Sequence, residues 1–258
     1  MELRPLILIT NDDGVNSKGL RSLIDIASKF GDLLIVAPDT HQSGMSHAIS
    51  LDKKIYINKI DSSYNIVKYS CSGTPVDCVK IAIDKLSQRK PDFCISGINH
   101  GSNTSINTIY SGTVAAALEA YINKIPSIAF SLLDYSSEAD FSASKIICHN
   151  IIKKFLSKQN DENICLNVNI PNIKMEAING IKLCKQADSG WKEDFEKKLD
   201  EDGREYFIMK GVFFNNDQRE ETDEFAISSN FVSVVPLKID FTDNKNYDKL
   251  KKQFDEKL

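Results

Sequence analysis

Asn11-Asp12-Asp13-Gly14 sets two carboxylates side by side at the end of a β-branched run. Adjacent negative charges repel unless water or a cation neutralises them. A hard divalent ion such as Mg²⁺ or Mn²⁺ takes one or two carboxylates together with neutral oxygens and water. The same tetrad is also an ordinary Asp-Gly turn between a strand and a helix, so alone it leaves both readings open. Three further loops hold polar groups of the right kind. Asp39-Thr40-His41-Gln42-Ser43-Gly44 offers the neutral oxygen of Ser43 and is otherwise a plain glycine-containing loop. Ser96-Gly97-Ile98-Asn99-His100-Gly101 joins small residues, which let backbone approach a ligand, to Asn99, whose amide both donates and accepts. Tyr110-Ser111-Gly112-Thr113 opens an alanine-rich stretch. A helix start with two hydroxyls, free N–H groups and a positive dipole end suits an anion, while simple N-capping by Ser111 or Thr113 explains the same residues. Gathered at one sheet edge, these groups describe a metal-dependent phosphoesterase that clamps phosphoryl oxygens between cation and helix.

Such a gathering needs strands whose carboxyl ends lie together. Leu6-Ile7-Leu8-Ile9 reads as a buried strand stopped by the turn at 10–14. Leu20, Leu23, Ile24, Ala27 and Phe30 follow helical spacing up to Gly31, and Leu33–Ala37 is a second buried strand. Strand, helix and strand this close make a βαβ unit with a right-handed crossover. Residues 54–58 and 64–69 alternate as an edge pair or hairpin, and Thr74-Pro75 starts a helix carrying Val76, Val79, Ile83 and Leu86. Strands at 92–97, 127–131 and 164–169 then alternate with helices at 113–123 and 138–156. The expected fold is an α/β, doubly wound, mostly parallel sheet (Rossmann-like), with a catalytic domain over residues 1–171.

From about residue 172 the pattern changes. The charged stretch 193–212 turns at Asp200-Glu201-Asp202-Gly203 and predicts a protruding β-hairpin. A strand at 231–236 follows, then a polar tail from Asp240 that ends in a helix. Residues 172–258 are expected to form the hairpin and an extended arm that makes oligomer contacts.

Composition narrows the class. The 258 residues carry 32 Lys and Arg against 36 Asp and Glu, a net charge of -4. That argues against nonspecific binding to nucleic-acid polymers and anionic membranes, which need a basic surface. No apolar run approaches the roughly 18–20 residues of a membrane span, and the N-terminus lacks a signal-peptide pattern, so a cytoplasmic protein is expected. Cys71, Cys78, Cys94, Cys148, Cys165 and Cys184 include no C-x-x-C pair or zinc spacing and read as reduced, buried apolar residues.

The segments ILITNDDGVNSKGLRSL, IVAPDTHQSGMSHAISL, CSGTPVDCVKIAI, PDFCISGINHGSN and IYSGTVAAALEA resemble, in order, the motifs of the SurE family of stationary-phase survival proteins. The likeness continues through LNVNIP, DEDGREYFIMKG and ETDEFAISSNFVSVVPL, nearly the whole chain. The resemblance implies a phosphoric monoester hydrolase acting on nucleoside monophosphates (a 5′-nucleotidase), with 3′-nucleotides and short polyphosphate as further substrates. It also implies one divalent ion per subunit, Mg²⁺ or Mn²⁺, held by Asp12, Asp13, Ser43 and Asn99, with Asp12 and Asp13 catalytic. The phosphate pocket by the same resemblance is Asn99, Ser111, Gly112 and Thr113, in a homodimer or homotetramer that exchanges C-terminal arms. The chain departs from the family at Thr40-His41, where a basic residue and Glu are usual, and at Asn230-Phe231, where Gly-Tyr is usual.

His47 and His100 fall inside the matched loops and are expected to line the pocket, His100 being a candidate acid or base. His41 and His149 are read as structural. Water is the expected nucleophile; a phospho-aspartate on Asp12 is the alternative, although N-D-D-G lacks the second Asp of a D-x-D enzyme. A catalytically silent nucleotide-binding regulator on the same fold is the competing function. No G-x-G-x-x-G follows the first strand, which counts against a dinucleotide oxidoreductase.

Overall fold

Ile7, Leu8 and Ile9 are all fully buried, the mark of a strand covered on both faces. The computed structural model describes residues 4–63, 65–157 and 163–254. Its central sheet has nine strands among them: β1 (Leu6–Thr10), β2 (Asp32–Pro38), β3 (Ile57–Ser63), β4 (Ile66–Cys71), β5 (Phe93–His100), β6 (Ser127–Leu132), β7 (Cys165–Ile170), β8 (Gly180–Leu183) and β11 (Phe231–Leu237). Their order is β3-β4-β2-β1-β5-β6-β7-β11-β8. The run from β4 to β7 is parallel, and β3 and β11 pair antiparallel with β4 and β7. Tyr64 and residues 255–258, parts of two expected elements, lie outside the described residues.

Alternation within the strands sorts the core into two layers. Ile7, Ile9, Leu33, Ile35 and Ile95 pack with Leu20, Leu23, Ile147 and Ile151 of α1 (Lys18–Ala27) and α5 (Ser142–Ser157). Leu8, Leu34, Val36 and Cys94 face the other way, onto Cys78, Val79, Ala116 and Ala120 of α2 (Pro75–Ile81) and α4 (Gly112–Ile122). Helices thus cover both faces, as a doubly wound sheet requires.

Capping explains where the helices begin. Ser17 Oγ accepts from Leu20 N at 3.2 Å to start α1, and Thr74 with Asp77 forms a complete capping box ahead of Pro75. The helix expected over 138–156 starts instead at Ser142, because Asp140 Oδ1 takes both the Ser142 N–H and its hydroxyl. The stretch beyond α2 is a π-helical turn, Ala82–Leu86, rather than more α-helix. α3 (Asn107–Tyr110) is a single turn just before α4.

The expected boundary at residue 171 falls inside the sheet, since β8 and β11 extend it beyond β7. They do so because Val232 and Val234 join the main core. What stands off the sheet is the hairpin of β9 (Ser189–Leu199) and β10 (Glu205–Asn215), which pair only with each other. Asp200 closes its turn, accepting from the N–H groups of Asp202 and Arg204. α6 (Asp223–Ser228) precedes β11, and α7 (Asn244–Phe254) is the exposed helix expected near the chain end. No helix among the described residues is long and apolar enough to cross a membrane, and all six cysteines are free and buried.

Candidate active site

From β1 the sheet extends to β2 and β4 on one side and to β5 and β6 on the other. That reversal opens a crevice beyond the carboxyl ends of β1 and β5. The loops after β1, β2 and β5 meet there with the first turn of α4.

Asn11 shapes the first loop from the inside. Its Nδ2 donates to Gly14 O at 3.1 Å and to Ser17 Oγ at 2.8 Å, and its Oδ1 accepts from Gly14 N at 3.3 Å. The second loop is pinned to the first through Val15 N to Pro38 O at 2.7 Å and Gln42 N to Asp12 O at 2.8 Å. Ser43 follows Gln42 on the exposed side of this loop and makes no hydrogen bond among the described residues. In the third loop, the pairing of β5 with β6 slips between Ser96 and Asn99. Gly97 sits there at φ +123°, where a Cβ would stand 2.3 Å from Phe130 O. The slip brings Asn99 and His100 round to the β1 loop. Asn99 Nδ2 donates to Gly101 O at 2.9 Å, which orients the amide and leaves its Oδ1 as the acceptor.

Asp12 is 3 % exposed and lies against the start of α4. Its carboxylate accepts from both the hydroxyl and the N–H of Thr113. Gly112 makes the approach possible: a Cβ there would meet Asp12 Cβ at 2.9 Å and Oδ2 at 3.1 Å. Asp13 Oδ2 accepts from His100 N at 3.3 Å, and its Oδ1 lies 3.6 Å from His41 Nδ1. Burial first, then the charge of Asp13, raises the Asp12 pKa from 3.8 to about 6 against the Thr113 donors. Burial likewise pushes Asp13 up, opposed by His100 and His41. Two neighbouring carboxylates held largely out of water repel each other when both are charged, and a cation between them would relieve that repulsion. Among the described residues no cluster of three or more His, Cys, Asp or Glu side chains could hold a metal. A cation here would draw on two carboxylates and neutral oxygens, the donor set of a hard ion.

Asp12, Gly112 and Thr113 therefore meet, with Asp13 next to Asp12 and Asn99 beside His100, whose N–H reaches Asp13. Ser111 is at the same helix start, but its hydroxyl accepts from Val114 N at 3.1 Å as the N-cap. The His100 ring has Nδ1 2.9 Å from Ser136 O and lies edge to face with Phe141, near enough for its charge to act on Asp13, while its backbone N–H donates to Asp13 Oδ2. His47 pairs with Glu119 at 3.0 Å. His149 packs on Phe30 as a structural residue. His41 is the correction: read as structural, it sits beside Asp13, because the second loop folds back over the first.

Sequence reasoning missed the support behind the loops. Asn103 N donates to Asn169 Oδ1 at 2.8 Å, and Asn167 Nδ2 donates to Asn103 O at 2.8 Å. Asp223 accepts from Ser105 N at 2.8 Å and Ala187 N at 2.9 Å. Polar residues at inward positions of β7 were the available signal.

A family model described as "Survival protein SurE" matches residues 7–193. The chain belongs to the SurE family. It is 50 % identical over 241 residues to "5'-nucleotidase SurE" of Christiangramia forsetii and 48 % identical over 240 residues to that of Flavobacterium psychrophilum, with 93 % of each chain covered. The fold is similar to the crystal structure of the SurE protein from Aquifex aeolicus, with a TM-score of 0.82 and 36 % identity over 96 % of this chain and 99 % of that one. The departures from the SurE pattern have local explanations. His41 brings an imidazole to Asp13. Asn230 takes φ +62°, a left-handed conformation that Asn tolerates best after Gly.

Proposed function

We propose that this chain is a metal-dependent 5′-nucleotidase that hydrolyses nucleoside monophosphates to nucleoside and phosphate. The observation that carries the reading is the buried Asp12–Asp13 pair set against the first turn of α4 at the switch point of the sheet. Asp12 and Asp13, with Asn99 Oδ1 and the Ser43 hydroxyl, would hold one Mg²⁺ or Mn²⁺. When bound there, such an ion supplies Lewis-acid polarisation of a phosphoryl oxygen.

The residues themselves divide the remaining work. Thr113 orients the Asp12 carboxylate, and His100 N–H does the same for Asp13. Gly112, with no side chain, lets Asp12 lie against the start of α4, where the helix dipole and N–H groups favour the negative charge of a phosphoryl group. Asn99 and Ser111 complete the phosphate pocket. Asp12, with its Oδ1 engaged by Thr113, is a holding group, so the nucleophile is water. Acid quenching during turnover should therefore trap no phospho-aspartate.

Residues 1–171 form the catalytic unit in this reading. Residues 172–258 add the hairpin and an arm that joins two or four copies, supported by the exposed Phe195, Leu199, Phe207 and Val212 of the hairpin. A cytoplasmic location is supported by six buried, free thiols. Phosphate release from AMP and GMP, with Mg²⁺ or Mn²⁺ and after chelation, tests the proposal beside Asp12→Asn. Metal-dependent release that the substitution abolishes is expected. Nucleotide binding without release would point to a silent regulator, and activity surviving both chelation and substitution would remove the metal assignment.

A further inference from the structure

The inner face of the hairpin does not close against the catalytic rim. Between them lies a cavity of about 510 Å³, within the range of small-molecule sites. Side chains alternate along a strand, so Trp191, its cross-strand partner Phe213, Gly211 and Met209 share one face of the hairpin. Trp191 is held in place twice. Its ring meets Phe213 edge to face at 5.5 Å, and its Nε1 donates to Asn107 Oδ1 at 2.8 Å. Gly211 leaves the indole uncovered, since even a Cβ there would lie 3.1 Å from Trp191 Cε3.

The opposite wall is continuous with the site described above. It includes Gly44, the residue after Ser43, and Tyr110, the residue before Ser111. Ser46 binds the two segments together, donating its N–H to Tyr110 O at 3.1 Å and its hydroxyl to Ile109 O at 2.6 Å. Tyr110 and Trp191 are 53 % and 38 % exposed, large aromatic surfaces left open in a monomer. Asn107 Nδ2 has no hydrogen-bond partner among the described residues, and Glu193 and Lys210 line the same cavity.

We infer that this cavity is the nucleobase subsite: the base of the monophosphate stacks on Trp191 and Tyr110, with Asn107 Nδ2 donating to a ring nitrogen or carbonyl. The inference rests on the phosphatase reading, because the phosphate end of the ligand is placed by Asn99, Ser111, Gly112 and Thr113. Stacking is tolerant of base identity because every base has a π-face, so Trp191 favours nucleotides over phosphate esters without a base rather than one base over another.

Trp191 is the sole tryptophan of the chain, so its fluorescence reports on the subsite alone. Titration of the full-length protein with AMP, and with adenosine, should give saturable quenching, while ribose 5-phosphate should give none. Trp191→Ala should lower the ratio of kcat/KM for AMP to that for ribose 5-phosphate about 10- to 100-fold, and Trp191→Phe should recover much of it. An unchanged ratio, or an equal loss on both substrates, would overturn the subsite, as would adenosine that leaves the fluorescence untouched. If the wild type hydrolysed no phosphate ester, the phosphatase reading would fall instead. The adenosine titration needs no hydrolysis and would still decide the base site.

Discussion

Thr113 donates its hydroxyl to Asp12 Oδ1 across 101 residues of sequence. The bond joins the loop after β1 to the first turn of α4, so the helix end aims the carboxylate. Replacing Thr113 by Val removes the hydroxyl but keeps the shape and the backbone N–H. The variant should lose about 10- to 100-fold in activity with its circular-dichroism melting curve little changed, and Thr113→Ser should restore most of the loss. Full activity in the Val protein would show that Asp12 needs no such orientation.

Asp12 opposes folding at neutral pH when no cation is present. Its folded pKa of about 6 lies above the ordinary 3.8, so the folded state binds the proton more tightly. Stability is therefore gained as the pH falls through 6 toward 4 and is lost on the way up, by about 3 kcal/mol if the shift is fully expressed. After chelation, Asp12→Asn should melt higher than the wild type at about pH 8, with the gap closing near pH 4. Added Mn²⁺ should raise the melting temperature of the wild type alone. Parallel melting curves across this pH range would contradict the electrostatic account.

Glu119 is 3 % exposed and bridges Lys80 Nζ at 2.8 Å and His47 Nε2 at 3.0 Å. Burial pushes its carboxyl up, but the hydrogen bonds and charges of His47 and Lys80 carry it below the ordinary 4.5. A lowered carboxyl stabilises above 4.5, and that contribution fades as the pH drops through the folded value. Glu119→Gln should cost about 1–3 kcal/mol at pH 7, read as a shift of the urea midpoint. The difference from wild type should shrink in acid.

Asp223 shares its two oxygens unequally. Oδ2 accepts from Ser105 N, while Oδ1 accepts from Ala187 N and Glu224 N. An amide oxygen can replace Oδ1 but not both, so Asp223→Asn should release mainly the Ser105 side, and Asp223→Ala should cost more, about 3 kcal/mol. Faster amide exchange at Ser105 in the Asn protein, with Ala187 still protected, is the expected signature.

Every buried thiol bears on the same question of packing. Cys165 is pushed up to about 12 by burial, and Cys94 and Cys148 also rise. A thiol reagent should label the native protein slowly and the urea-unfolded protein at once. Rapid labelling of the folded state would mean that these segments open readily.

The parallel sheet was legible because its strands are continuous apolar runs ended by Asn, Asp, Gly or Pro, and the carboxylate pair because adjacent Asp residues stand out in such a turn. Helix ends were less so. Asp140 takes the Ser142 N–H through its side chain, which moves the start of α5 past residues whose apolar spacing looked helical. The hairpin was visible in its turn, but the membership of β8 and β11 in the main sheet was not, since pairing with β7 is a long-range matter. His41 escaped notice because its role depends on one loop lying over another, and the ring direction of His100 depends on Ser136, far along the chain. Spacing along a sequence carries no information about such folding back.

The ladder of the hairpin joins β9 only to β10, and side chains such as Trp191 on Asn107 and Ser189 on Ser105 tie it to the rest of the chain. Mutations could lengthen the hairpin, shorten it or exchange its aromatic residues without shifting the strand and loop that carry Asp12 and Asp13. Selection can thus retune which molecules such an enzyme prefers while leaving its reaction untouched, an arrangement in which appetite and chemistry evolve on separate pieces of one chain.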